Sequence, residues 1–206
     1  MNNINININK FIPDYSKFRI FQIGFHKCGT TTLFKLFQKN GIPSVHYDSG
    51  FLADSIHNNH KKNKPLLDFN YRKKVFFSDM ENIYNKDCIL YIPQKYFKDL
   101  DREYPNSKFI LNIRDKDNWI KSRCKHDNGF YLKSISVILN KSESEVVEMW
   151  KSEWDTHNLN VINYFKDRPN DLLIFNIEKD RPQKIYKFFK PYINLNMRHY
   201  SHYNKN

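Results

Sequence analysis

Glycine and cysteine are scarce in this chain of 206 residues, which has 5 of the first and 3 of the second. Cys28, Cys88 and Cys124 form no Cys-x-x-Cys pair, and an odd count argues against a disulfide framework. The histidines are scattered without ligand spacing, so no metal is expected. No apolar run approaches the roughly 18 residues that a membrane span needs. The first ten residues alternate Asn with Ile and lack a basic start ahead of an apolar core, so they do not read as a signal peptide. These absences lead to the expectation of a soluble, reduced, cytoplasmic chain.

Aromatic residues are plentiful at 16%, enough with the aliphatics to build a core for one domain. Lys and Arg outnumber Asp and Glu by 34 to 22, a formal charge of +12. Such a surplus suits an anionic partner: a nucleotide, an acidic or sulfated glycan, or nucleic acid. It equally suits a Lys-rich composition that does no more than keep the chain soluble.

Residues 1–16 read as a polar leader and 17–206 as one domain. Arg19 to Gly24 is a short apolar run closed by glycine, as in a buried strand. Thr30 to Asn40 carries Leu33, Leu36 and Phe37 at helical spacing, with Gly41 as a stop. Further strands are expected at 44–47, 75–78, 108–113 and 172–176. Helical stretches are expected at 48–60, 94–104, 117–125 and 182–190. The clearest helix begins at Ser142, where Ser142 and Glu145 have capping-box spacing, and it places Val146, Trp150, Trp154 and Val161 on one face until Pro169. Trp150, Trp154 and His157 read as core rather than as a ligand platform. Alternating strands and helices, with the strands nearly continuous in apolar residues, predict a three-layer α/β/α domain around a mostly parallel sheet.

Between the first strand and the first helix lies Gly24-x4-Gly29-Thr30-Thr31. Glycines let a backbone approach an anion, and amides at a helix start face it with the positive end of the dipole behind them. A nucleoside triphosphatase loop sets its lysine directly after the second glycine. Here Thr30 holds that place and Lys27 stands two residues before Gly29. No acidic magnesium ligand stands out on a following strand either, and both departures argue against ATP or GTP hydrolysis.

The stretch Lys27-Cys28-Gly29-Thr30-Thr31 resembles the donor loop of the sulfotransferase superfamily, whose enzymes use 3′-phosphoadenosine 5′-phosphosulfate. A second element agrees: the strand Phe109–Ile113 runs into Arg114, with Ser122 eight residues on. Phe77–Met80, Tyr104–Asp115 and Trp150–Asp155 are also similar to small single-domain members, and the resemblance spans most of 18–190. It implies a phosphate-loop fold of the triphosphatase type. It also implies that His26, Lys27, Cys28, Gly29, Thr30, Thr31 and Thr32 hold the phosphosulfate end of the donor, while Arg114 and Ser122 hold the 3′-phosphate. A bidentate guanidinium and a neutral hydroxyl suit that phosphate. The glycine-rich basic loop near the C-terminus of many members is missing; Arg181, Arg198 or the region of Lys125 is left to replace it.

In this reading Lys27 stabilises charge on the leaving phosphate oxygen. An acceptor also needs a general base. His46, near the end of the second strand, and Asp79, at the end of the third, are the two candidates; Asp48 and Glu81 stand behind them. The acceptor is expected to be a hydroxyl on a carbohydrate or small molecule, seated among the loops 48–74 and 123–142. Two other functions remain open: an atypical phosphate-loop nucleotide kinase or triphosphatase, and a non-catalytic basic module for polyanions. The sequence holds no recognisable nucleic-acid motif, and it leaves the oligomeric state undetermined.

Overall fold

The computed structural model describes residues 18–85 and 88–203, so the leader expected at 1–16 lies outside the described residues. Five strands form one sheet: β1 (Ile20–Gln22), β2 (Ser44–His46), β3 (Phe76–Ser78), β6 (Lys108–Ile113) and β7 (Leu172–Asn176). Their order is β2-β3-β1-β6-β7, and every pairing is parallel. Ile20 of β1 lies opposite Phe76 on one side and Lys108 on the other. The connections lead from β1 towards β2 and then back past β1 to β6. A crevice therefore opens beyond the carboxyl ends of these strands, where ligands of such sheets sit.

Alternation along the strands feeds two cores. Phe21, Phe77, Phe109 and Leu111 face α2 (Phe51–Lys61), α3 (Ile92–Glu103) and the C-terminal half of α6 (Glu143–Phe165). Ile20, Phe76, Ile110 and Phe175 face α1 (Thr30–Lys39) and α7 (Gln183–Phe189). The Phe21 ring lies 5.1 Å from that of Phe77 and 5.5 Å from that of Phe109. Each such ring contributes roughly 2–3 kcal/mol by leaving water. Three layers result, as expected.

A third cluster caps the carboxyl end of the sheet. It joins Phe25 and Cys28 to α4 (Lys116–Cys124), α5 (Phe130–Leu139) and the first half of α6. Trp150 and Trp154 belong to it, so they are core residues. The predicted capping box is present: Glu145 N–H donates to Ser142 Oγ at 3.3 Å, and Ser142 N–H donates to Glu145 Oε2 at 2.8 Å.

Two elements differ from the sequence expectation. Within 123–142, expected as an acceptor loop, residues 130–139 form α5, whose Tyr131, Leu132 and Ile135 pack inward. The polar run His126-Asp127-Asn128-Gly129 hides its start, because Gly129, with φ 86°, supplies the cap position without a side-chain cap. A small hairpin, β4 (Glu81–Asn82) with β5 (Leu90–Tyr91), projects Glu81 back toward the sheet. Two-residue strands carry too little pattern to be read from sequence.

Candidate active site

The loop after β1 is held from behind by side chains of β6 and α4. Asn112 Nδ2 donates to the carbonyls of Phe25 at 3.2 Å and Cys28 at 3.1 Å. Trp119 Nε1 donates to the carbonyl of His26 at 3.1 Å, and Arg114 Nη1 to that of Lys27 at 3.1 Å. Four consecutive carbonyls are thereby turned inward and satisfied. Among the described residues, none of the amide N–H groups of residues 25–31 has a protein acceptor. Unpaired backbone donors in a row at a helix start form an anion cradle.

Glycine is required at both ends of this loop. A Cβ on Gly24 would lie 2.1 Å from the Asn112 carbonyl oxygen, and one on Gly29 2.8 Å from the Ile177 side chain. Gly29, the N-cap of α1, also has φ 81°. Lys27 itself is left-handed at φ 62°, a conformation that costs a lysine of order 1 kcal/mol. Cys28 is fully buried and its thiol is pushed up by burial, so it packs rather than reacts. Thr30 and Thr31 open the helix at the cradle. Thr32 turns away, and its Oγ1 accepts from the Tyr203 N–H at 3.1 Å.

Lys27 Nζ lies 3.5 Å from His126 Nδ1. Burial lowers the Lys27 ammonium from its ordinary value, opposed by the charge of Asp79. Arg114 stands beside the loop, but the other edge of its guanidinium is occupied: Nε and Nη2 donate to Glu178 Oε1 at 3.0 and 2.6 Å. Ser122 is half-buried on α4, on the same crevice-side helix as Trp119.

The two expected base candidates are neighbours. His46 Nε2 is 3.6 Å from Asp79 Oδ2, and His46 Nδ1 pairs with Ser78 Oγ at 2.8 Å. The imidazole stacks on Phe34 with centroids 5.0 Å apart. Burial, with Lys35 adding, lowers His46 to about 4, so it is neutral near pH 7. Asp79 moves the opposite way: burial and then the charge of Glu81 raise it well above the carboxylate range.

Glu81 completes this group. Its Oε1 accepts from His26 Nδ1 at 2.6 Å and from the Tyr131 hydroxyl at 3.3 Å. Beneath it sits Arg123, fully buried, donating from Nη2 to the hydroxyls of Tyr91 at 2.7 Å and Tyr131 at 3.2 Å. The guanidinium carbon lies 4.2 Å from the Trp150 ring centroid, a cation–π contact that offsets part of its desolvation. Burial raises Glu81 to about 7 despite Arg123. His26, Asp79 and Glu81 bring one ligand-type atom each within 4.8 Å of one another. They are the residues best placed to meet a small cation.

Backbone strain gathers here. Among the described residues, seven of the ten non-glycine residues with positive φ follow the carboxyl ends of β1, β2 and β3 or flank His126. They are Lys27, Tyr47, Asp48, Ser49, Asp79, Asp127 and Asn128. Such conformations persist only where packing over-determines them, commonly at functional sites.

Sequence reasoning missed Asn112, Trp119 and Arg123 as parts of the site and ranked Glu81 low. Asn112 had a signal: a polar residue inside the most apolar strand needs a partner. Arg123 had none, since it reads as one more surface cation.

A parallel α/β/α domain whose central strand leads into an anion cradle defines a protein of the phosphate-loop-like class. Within that class, the sulfotransferase-domain family model matches residues 19–171, from just before β1 to just before β7, and the chain belongs to this family. Membership supports a sulfotransferase-type activity. Comparison with curated proteins gave no match. No helix among the described residues is long and apolar enough to cross a membrane.

Proposed function

We propose that the protein moves a sulfuryl group from 3′-phosphoadenosine 5′-phosphosulfate to a small-molecule or glycan acceptor. The observation that carries this reading is the row of unpaired amides at 25–31, with Lys27 among them. The cradle fits the phosphosulfate end of the donor: backbone N–H groups meet its oxygens, and the hydroxyls of Thr30 and Thr31 lie at the same helix start. When bound, the donor supplies an activated sulfur whose leaving group is a phosphate oxygen. Lys27 would neutralise charge developing on that oxygen. Asp79, with His46 beside it, is the base.

On the adenosine side, Arg114 would meet the 3′-phosphate, although Glu178 engages it. Arg114 Nη1 donates to the Lys27 carbonyl, while its link to Glu178 would compete with a 3′-phosphate. Ser122 would add the neutral donor.

One observation favours a second reading. Asp79 directly follows β3, the strand next to β1, where an acidic magnesium ligand of a nucleotide kinase or triphosphatase would stand. The lysine offset in the loop opposes it, and magnesium-dependent ATP turnover tests it. For the leading reading, calorimetry with 3′-phosphoadenosine 5′-phosphate is the direct experiment. A micromolar Kd is expected, and no heat at high micromolar ligand would refute donor binding.

A further inference from the structure

Three hydrogen-bond acceptors beside the cradle have no donor. Asp79 Oδ1, His26 Nε2 and Gln94 Oε1 are all buried and unpartnered. Their residues line one cavity of about 10 Å³, together with Glu81 and Tyr91. The His26 side chain is 4% exposed, and burial with the nearby Arg123 and Lys27 keeps the ring neutral. Its Nδ1–H points to Glu81, which leaves Nε2 as a bare lone pair. A cavity of this size has room for one water-sized group.

The charge around the cavity is one-sided. Among the described residues, neither Asp79 nor Glu81 forms an ion pair with a lysine or arginine; their ion-pair partners are His46 and His26. Lys27 and Arg123 act on both carboxylates through space without pairing directly with either, and buried carboxylates with no direct cationic partner are costly. The segments that build this side, 43–60 and 75–85, contain no Lys or Arg, in a chain where these number 34 of 206. They carry Asp48, Asp54, Asp79 and Glu81 instead. Tyr47 and Tyr84 of these segments are exposed. Lys27, Arg114 and His126 lie on the donor side. The site is thus split into a basic half for an anion and an acidic half with unfilled acceptors.

A primary ammonium matches the acidic half. It is one small head group with three N–H donors, no acceptor and a positive charge. We infer that the acceptor is a primary amine, that its head group enters the cavity between His26, Asp79 and Gln94, and that the product is a sulfamate. This rests on the sulfuryl-transfer reading above and replaces the hydroxyl acceptor implied by the family resemblance.

Proton counting agrees. An amine enters as R–NH3+ and leaves as R–NH–SO3−. One proton must go before the nitrogen lone pair can attack sulfur. The N–S bond then forms while the S–O bond breaks, its electron pair staying on the donor's phosphate oxygen, and a second proton leaves nitrogen. A hydroxyl releases only one proton. Glu81 and the bare Nε2 of His26 provide two acceptors beside the head group where an alcohol would require one. Lys27, His26, His46, Arg123, His126 and Tyr131 face Asp79 and Glu81 from the neighbouring elements. Burial raises Glu81, and Arg123, His126, Tyr131 and Lys27 oppose it.

The test uses labelled donor with matched acceptors, 2-phenylethylamine against 2-phenylethanol and glucosamine against glucose. Amines are expected to show kcat/KM at least about 10-fold higher, the value of one charge-assisted hydrogen bond. Their products should be sulfamates, cleaved by nitrous acid. Glu81→Gln and Gln94→Leu should each erase most of the preference while 3′-phosphoadenosine 5′-phosphate still binds, which also shows that the variants fold. Preference for the alcohols, or sulfate-ester products, overturns the inference and leaves sulfuryl transfer standing. If no acceptor turns over, calorimetry on the nucleotide complex decides: phenylethylammonium binding no tighter than phenylethanol overturns it. Micromolar Mn2+ binding that is lost in Glu81→Gln also overturns it, by giving the cavity to a metal. A protein that fails to bind the nucleotide at all takes the underlying reading down as well.

Discussion

The Asn112 side chain fills the space that a side chain on Gly24 would need. Its Oδ1 accepts the Gly24 N–H at 3.0 Å, and a Cβ on Gly24 would come within 2.4 Å of that same oxygen. One amide therefore fixes where β1 ends and, through Phe25 and Cys28, how the loop is folded. Asn112→Leu keeps the branched shape but leaves three buried backbone groups unpaired. A loss of about 3 kcal/mol is expected in urea unfolding, at roughly 1 kcal/mol or more per group. Donor affinity should fall with it. A variant as stable as the wild type would show that water replaces the amide.

Lys27 is expected to matter more for turnover than for binding, since its charge is required most when the leaving oxygen becomes anionic. Lys27→Met should lower kcat by about 10³-fold and weaken 3′-phosphoadenosine 5′-phosphate by no more than about 10-fold. Equal losses in both would remove it from the leaving-group role.

Glu178 competes for Arg114 with any phosphate placed there. Removing that competitor by Glu178→Gln should tighten 3′-phosphoadenosine 5′-phosphate several-fold, by about 1 kcal/mol. Adenosine 5′-phosphate, which lacks the 3′-phosphate, should be unaffected. If both nucleotides change alike, Arg114 does not read the 3′-phosphate.

Glu81 is raised from 4.5 to about 7 in the folded chain, mainly by burial. The folded state then binds more protons than the unfolded state between these values, so this group's contribution is full below about 4.5 and is lost as pH rises through about 7. The penalty at pH 8 is of order 1–3 kcal/mol. Glu81→Gln removes it, so the variant should gain stability relative to wild type at pH 8 and not at pH 4.5. Urea midpoints at the two values check this. A constant difference between the proteins would place the Glu81 carboxyl in its ordinary range.

Local pattern carried most of the fold. Short runs rich in apolar residues marked the five sheet strands, the first closed by Gly24, and the capping box at Ser142 marked the start of the longest helix. Where the signal was short or unmarked, as in the hairpin 81–91 and in α5 behind Gly129, it gave nothing. The loop after β1 was legible for the same reason, since Gly24, Lys27, Gly29 and Thr30 are nearly contiguous. The Thr32 hydroxyl, contiguous with them, accepts a backbone N–H 171 residues away in sequence, a contact no local pattern records.

The sequence by itself determined a parallel α/β domain, its anion loop and the position of Lys27, because these depend on residues that follow one another. Only the tertiary structure decided that Arg114 is shared with Glu178 and that Asp79 and Glu81 face His26 over an aromatic-caged Arg123. It also decided that these carboxylates lie where no lysine or arginine pairs with them among the described residues. Those relations join distant segments through burial. Burial is what turns an ordinary surface Glu or Arg into a group with a shifted charge, and no local pattern records it.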